Sequence, residues 1–535
     1  MFTRGFHKRF SLIAAVLALV MAMAGVVRAE LPQEVRAHNG MVAAAHPLAA
    51  EAGVEILKAG GNAVDAAVAT AFAVGVVEPN ASGLGGEGMM VIYMLEGDKS
   101  AVIDYRSTAP AAAAAALANS KMPNTGWPSV GTPGLVAGLA QALGKYGTMT
   151  LEQVMQPAIR LAENGFPIGA ALAQVIEDNY ERILADPGLA KAFLDDGLPP
   201  AEGWLLVNPD LAAALKKIAV GGPNVFYRGE IAQAIHAASR ANGGYITAED
   251  LANYKAVTRW PARGNYRGYE VISAPPPVGG ATLIQVLKIA ENFDIAAASL
   301  PNASGIHYLS EGIKRAFRDY RAYVHDPDFV YVPLQEMTGE EYAKQRAAEI
   351  NISIVDKDRN MVALTQTISS FFGAGVMVEG TGVILNNEVY NFSTDKTSGN
   401  RIAPNKRMRT SISPTVVLRD GMPFLTIGTP GATRIVPTMA QLLTNIIDFN
   451  MGLQEAINAP RFFVREGSDA FEYESRMPSG VLEDLKNMGY PIDEKSMRGE
   501  YDLYFGGAQA VMVDPVTGEL VGAADPRRDG AAAGY

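Results

Sequence analysis

A glycine-rich stretch, Gly83-Leu84-Gly85-Gly86-Glu87-Gly88, satisfies the G-x-G-x-x-G spacing with which backbone N–H groups cradle a dinucleotide pyrophosphate. That chemistry needs a strand before the loop and a helix after it, so that the pyrophosphate rests on the helix N-terminus. Here the order is reversed: an apolar helical run from Ala63 to Val77 precedes, and an apolar strand from Met89 to Met94 follows. Nicotinamide and flavin binding are not expected. The chain has no Cys, which excludes a disulfide framework, a thiolate metal site and a cysteine nucleophile. Its six His (His7, His38, His46, His236, His307 and His325) are scattered, and none forms an H-x-x-x-H pair. Neither a metal nor a cofactor is expected.

The elements that must hold any site are indicated by composition and periodicity. Of 535 residues, 48% are hydrophobic and 19% charged, with a formal charge of -11. Such apolar content excludes low-complexity disorder, and the acidic balance argues against a nucleic-acid partner. Arg4, Lys8 and Arg9 precede an uncharged, mostly apolar run from Phe10 to Val27, and Val27-Arg28-Ala29 offers a cleavage site. Residues 1–29 are therefore expected to be a bacterial-type signal peptide, with a periplasmic or secreted destination. An uncleaved anchor is the competing possibility, but the run is at the short end for spanning. No later segment is long and apolar enough to cross a bilayer, so no membrane association is expected after cleavage.

Helical patterns dominate from Met41 to about Ala348: Pro47 to Lys58, Ala63 to Val77, Leu151 to Asn164 behind a Thr150 cap, and Ile306, Leu309, Ile313, Phe317 and Tyr320 at helical spacing. From Ile352 onward the pattern turns to strand hairpins. Ile352–Val355 and Met361–Thr367 flank a polar turn, as do Thr415–Leu418 and Phe424–Ile427, and Ala508–Val513 and Leu520–Ala523. Helices and hairpins in blocks, without βαβ alternation, predict an α+β fold with helices outside and antiparallel sheets inside. There is no repeat and no linker long enough to separate independent domains.

A series of short motifs runs the length of the mature chain. It begins with Gly60-Gly61-Asn62-Ala63-Val64-Asp65, Glu78-Pro79-Asn80 with the glycine loop, and Asp104-Tyr105-Arg106. It continues through Gly131-Thr132-Pro133-Gly134, Pro275-Pro276-Pro277, Asp326-Pro327-Asp328-Phe329, Leu385-Asn386-Asn387, Ser413-Pro414-Thr415, Gly428-Thr429-Pro430-Gly431 and Asp525-Pro526-Arg527. In this order they resemble the γ-glutamyltransferase (γ-glutamyltranspeptidase, glutathione hydrolase) family. The resemblance implies a four-layer αββα sandwich of the N-terminal-nucleophile hydrolase type. It also implies one intertwined domain, usually self-cut into subunits that correspond here to 30–349 and 350–535. In the family chemistry, a Thr exposed by self-cleavage attacks the γ-glutamyl amide of a small molecule such as glutathione, with its own α-amine as base. Two backbone N–H groups at a Gly-Gly turn stabilise the oxyanion.

Carried over position by position, part of that pocket is present. Arg106 matches the Arg that grips the substrate α-carboxylate, and Thr410 and Ser411 stand where the family has a Ser pair for the same group. Glu388 falls at the residue facing the α-ammonium, while Asn391 replaces the Asp that completes that contact, so ammonium binding should weaken. Thr367 matches the Thr that supports the nucleophile, and Ser369 replaces an Asn. Gly431 and Ala432 form the oxyanion turn, where Ala serves if its φ is negative. Glu87 takes a glycine position in the first loop.

The departure that matters most is at the nucleophile. After the helical stretch Glu340 to Ala348 the chain passes at once into Glu349-Ile350-Asn351-Ile352-Ser353-Ile354-Val355-Asp356, where the family has a long connection and then Thr-Thr-His. Anchored on Ser353 and Asp356, the two Thr positions hold Glu349 and Ile350, neither of which can carry out the N→O acyl shift. The chain is therefore expected to stay uncut and to be catalytically impaired. Ser353, the nearest hydroxyl, lies about 6–7 Å along the strand from an inward-facing position. The alternative is an active γ-glutamyl or related amide hydrolase whose nucleophile is elsewhere, or a gene model that omits the segment.

Overall fold

Strands that are apolar on both faces must be covered on both faces, and this requirement organises the protein. The computed structural model describes residues 31–295, 302–338, 352–468, 470–495 and 501–535. The segments expected to form the signal peptide (1–29) and the Glu340–Ala348 helix, and the junction residues Glu349 and Ile350, lie outside the described residues. Residues 33–535 pack as one unit.

One antiparallel sheet has seven strands, in the order Ala531–Gly534, Met41–Ala44, Ile352–Val355, Met361–Thr367, Glu87–Met94, Lys99–Tyr105 and Val257–Arg259. The second, also seven-stranded and antiparallel, runs Val35–Ala37, Leu520–Ala524, Gln509–Val513, Met422–Gly428, Thr415–Arg419, Tyr269–Ser273 and Ala262–Tyr266. Side chains alternate between the two faces of each strand. In the first sheet Val42, Met90, Ile92, Val362 and Leu364 pack outward against helices, while Met41, Ala43, Met89, Val91 and Met361 point to a core shared with Val416, Leu418 and Val511 of the second sheet. Val417, Leu425 and Ile427 of the second sheet face the Gly280–Glu291, Ala303–Tyr323 and Ile435–Ile447 helices. The layers are thus helix, sheet, sheet, helix, as the family resemblance implied.

The helix Ala63–Val77 shows why this sequence folds so. Asn62 accepts from the N–H groups of Val64 and Asp65 while the Asp65 carboxylate accepts from Asn62 N–H, a reciprocal cap that fixes its start. Small Ala and Val side chains then let it be buried on every side between the first sheet and neighbouring helices. Asp356, in the hairpin that follows Ile352–Val355, accepts from Ala63 N–H at 2.8 Å and from the Asn360 amide at 2.8 Å, tying that hairpin to the start of the helix.

Helices do dominate the first half, and the strand expected at Met89–Met94 is present as Glu87–Met94; strands Lys99–Tyr105, Ala262–Tyr266 and Tyr269–Ser273 were not foreseen there, nor was the Ile435–Ile447 helix in the second half. Ala262–Tyr266 holds Arg263, Gly264 and Asn265, and Tyr269–Ser273 does not alternate cleanly, so no period of two is visible in the sequence.

Candidate functional site

The central strands of both sheets end at one cavity of about 770 Å³, a volume suited to a small molecule. Gln366, Thr367, Ser369 and Ser370 reach it from the end of Met361–Thr367; Pro430, Gly431 and Ala432 from the turn after Met422–Gly428; and Arg409, Thr410 and Ser411 from the segment leading into Thr415–Arg419. A groove of similar volume, about 780 Å³, lies on the helical face of the protein, but its lining contains no Ser, Thr, Asp or Glu. The cavity between the sheets is therefore the better candidate for chemistry.

Eight of the residues singled out in the sequence line this cavity: Thr367, Ser369, Glu388, Asn391, Thr410, Ser411, Gly431 and Ala432. Thr367 Oγ1 accepts from Ser369 N–H at 2.8 Å, which steadies Ser369 in a left-handed conformation with φ of 79°. Asn391 sits on the short turn Glu388–Asn391 and donates its amide to Glu388 Oε2 at 2.7 Å and to Ser369 Oγ at 3.3 Å. The amide thus fills, from within the chain, part of the donor role that a bound ammonium would play at Glu388. Ser411 Oγ donates to the Ala432 carbonyl at 3.3 Å, and Thr410 N–H is held by Pro277 O at 3.2 Å.

Arg106 does not line the cavity. Its side chain has no solvent exposure and sits one carboxylate behind the wall, with Nη2 donating to Glu388 Oε2 at 3.2 Å. Its Nη1 contacts Glu87 Oε1, and Glu87 is equally buried. Glu87 is the first residue of its strand and pairs across the ladder with Thr367, and the next residue, Gly88, pairs with Tyr105. Glu87 and Arg106 therefore flank the same end of two adjacent strands. In sequence Glu87 stood out only as an occupied glycine position; its partner becomes visible once the strands are paired.

Ala432 departs from the condition set for it. Its φ is +51°, next to Gly431 at +142°, so the oxyanion-type turn holds an L side chain in the left-handed region. That conformation costs about 1–2 kcal/mol for a residue with a Cβ. Ala432→Gly should raise stability by roughly 0.5–1 kcal/mol, after discounting the roughly 0.4–1 kcal/mol that glycine adds to unfolded-chain freedom. Urea unfolding checks this, and a midpoint below that of the parent protein would contradict it.

Ser353, weighed as a substitute nucleophile, is turned away from the cavity. It is fully buried between the sheets, pairs with Ala43 and Ala363, and its Oγ donates to Gln509 O at 3.1 Å.

Sequence reasoning missed the four arginines on the wall, Arg321, Arg409, Arg434 and Arg528. Arg409 stacks over Tyr320 at 4.8 Å and donates to the carbonyls of Tyr320 and Arg321 at 3.1 and 2.8 Å; burial lowers its pKa, with Tyr320 opposing. Arg434 lies 3.9 Å over the Tyr504 ring. The only cue was the basic run Arg407-Met408-Arg409 immediately before Thr410. Arg407 itself turns inward to Asp104 at 3.4 Å, where Arg259 also binds at 2.6 Å.

Two antiparallel sheets clad by helices, with a hydroxyl-lined cavity where their central strands end, define an αββα hydrolase-type sandwich. The chain matches the gamma-glutamyltranspeptidase family over residues 49–535 and belongs to that family. It is 40% identical to the glutathione hydrolase proenzyme of Escherichia coli (strain K12), with 94% of this chain and 93% of that protein aligned. It is 39% identical to the acylase ACY 1 proenzyme of Pseudomonas sp. (strain SE83), over 92% of this chain and 93% of that one. The crystal structure of cephalosporin acylase from Bacillus halodurans superposes with a TM-score of 0.88 at 32% identity, covering 94% of this chain and 97% of that chain.

Proposed function

We propose that this protein is an exported member of the γ-glutamyltranspeptidase family that remains a single uncut chain and holds a γ-glutamyl-like small molecule without hydrolysing it. One observation carries this reading: the cavity offers hydroxyls but no imidazole or amine to activate them. Thr367, Ser369, Ser370, Thr410 and Ser411 line it, yet among the described residues on its wall there is no His and no Lys. A guanidinium stays protonated and cannot accept the proton. Of the two carboxylates on the wall, Glu388 is already engaged by Arg106 and Asn391, and Asp502 accepts from Tyr504 N–H at 2.8 Å. An N-terminal nucleophile would bring its own α-amine as base, but that requires a hydroxyl at the junction, where the sequence has Glu349 and Ile350.

The names of the relatives favour a second reading, an active glutathione hydrolase or acylase with its nucleophile elsewhere. One pair of measurements separates the two. On a denaturing gel the mature protein is expected as one full-length band, and a γ-glutamyl anilide is expected to release no product above the buffer rate. Two fragments splitting near residue 350, or turnover abolished by Thr367→Ala or Ser353→Ala, would establish the active enzyme instead.

A further inference from the structure

We propose that Glu87 is a built-in carboxylate ligand for Arg106 that bars a substrate α-carboxylate, so that the cavity selects acyl amides ending in a primary ammonium with no carboxylate beside it. The inference rests on the preceding reading of the cavity as a γ-glutamyl-type site.

A guanidinium recognises a ligand carboxylate by presenting two parallel N–H donors. In Arg106 both terminal nitrogens already face carboxylate oxygens: Nη1 faces Glu87 Oε1, and Nη2 faces Glu388 Oε2 at 3.2 Å. The other Glu87 oxygen accepts from Ser107 N–H at 2.6 Å, so the carboxylate is anchored at both oxygens. The backbone explains why it cannot swing aside: Glu87 opens a ladder pairing Thr367 with Glu87, and its side chain has no exposure.

The charge balance points the same way. Around Arg106 itself one guanidinium stands against two carboxylates, a local excess of one negative charge, while Arg321, Arg409, Arg434 and Arg528 lie elsewhere on the cavity lining. A ligand carboxylate would add a third negative charge at a desolvated site, whereas a ligand ammonium near Glu388 would reduce the excess. Asn391, which carries an amide and no charge, and Arg106 both donate to Glu388 Oε2, so Glu388 Oε1 is the oxygen that an ammonium would meet there. The two cavity hydroxyls expected for a carboxylate are also diverted in part, since Ser411 Oγ donates to Ala432 O.

L-Glutamine and 4-aminobutanamide differ only in the α-carboxylate, which makes them the probes of choice. Calorimetric titration of the full mature protein is expected to show 4-aminobutanamide binding more tightly than L-glutamine. Glu87→Gly is expected to tighten L-glutamine by on the order of 10–100-fold, the value of a hydrogen-bonded charge pair, and to change 4-aminobutanamide less. Glu87→Gln keeps the side-chain volume and should move L-glutamine in the same direction by a smaller factor. The proposal is overturned if the parent protein binds L-glutamine at least as tightly as 4-aminobutanamide. It is equally overturned if L-glutamine affinity is unchanged in whichever variant retains the parent circular dichroism spectrum. Binding of neither amide to any form would sink the γ-glutamyl-site reading as well, which distinguishes the two failures. Because the readout is binding, it does not depend on whether the chain is cut or turns substrate over.

Discussion

Glu474→Ala should lower the free energy of unfolding by about 3–5 kcal/mol, because it leaves buried guanidiniums short of a carboxylate. Glu474 and Arg527 have no side-chain exposure and form a two-point contact, with Arg527 Nη2 donating to Oε2 at 2.7 Å and Nε reaching Oε1. The same Oε2 accepts from Arg461 N–H at 3.0 Å and from Arg476 at 2.7 Å. On the other side Asp525 receives Arg461 Nη2, Arg527 Nη1 at 3.0 Å and the N–H of Ala508 at 2.6 Å. Three arginines, Arg461, Arg476 and Arg527, and two carboxylates thus join the 461–476 segment to the close of the last long strand pair. Urea denaturation at neutral pH measures the loss, and a midpoint within error of the parent would show that the network is not closed.

The same cluster sets an acid response. Burial alone would push the Asp525 carboxyl up, but Arg461, Arg527 and the N–H groups of Ala508 and Arg527 outweigh it and hold it below the ordinary carboxylate range. A depressed native pKa means the contribution is complete above the unfolded value of about 3.9 and is lost as the pH falls from there through the native value. Stability should therefore decline on acidification below about pH 4. In Asp525→Asn that part of the decline should be missing.

Arg106→Met is expected to be comparably damaging, by about 3–5 kcal/mol, since it strands Glu87 and Glu388 together in the interior without a cation. The informative comparison is the double variant Arg106→Met/Glu87→Met. Removing one carboxylate along with the guanidinium relieves the like-charge pair, so the double variant should be more stable than Arg106→Met alone, with a coupling within the roughly 0.5–3 kcal/mol seen between contacting residues. Thermal or urea unfolding of the four proteins in the cycle gives the coupling directly. Additive effects would mean that Glu87 and Arg106 do not depend on each other in the native state.

What could be read from the sequence follows the range over which each signal acts. The Leu151–Asn164 helix and its Thr150 cap were legible because caps and helical periodicity are local. The hairpin strands Ile352–Val355 and Met361–Thr367 were legible because a polar turn separates two short apolar runs. Ala262–Tyr266 and Tyr269–Ser273 were not, since one holds Arg263, Gly264 and Asn265 and neither alternates cleanly. At the site, positions carried over by motif did gather: Thr367, Glu388 and Ser411 come from separate segments and meet at one cavity. The state of Arg106 was hidden, because its partners Glu87 and Glu388 reach it through strand pairing and a distant turn. The sign of φ at Ala432 was likewise beyond the sequence, which named the residue but not its backbone.

The strand order of the first sheet has a practical consequence. Met41–Ala44 lies between Ile352–Val355 and Ala531–Gly534, and Glu87–Met94 pairs with Met361–Thr367, so segments from either side of 339–351 alternate across a single hydrogen-bonded surface. A nick anywhere in that interval would leave both pieces laced together. Gel filtration and native mass spectrometry would report an unchanged particle, save for one added water, while the two polypeptides would separate only after the sheets were dissolved.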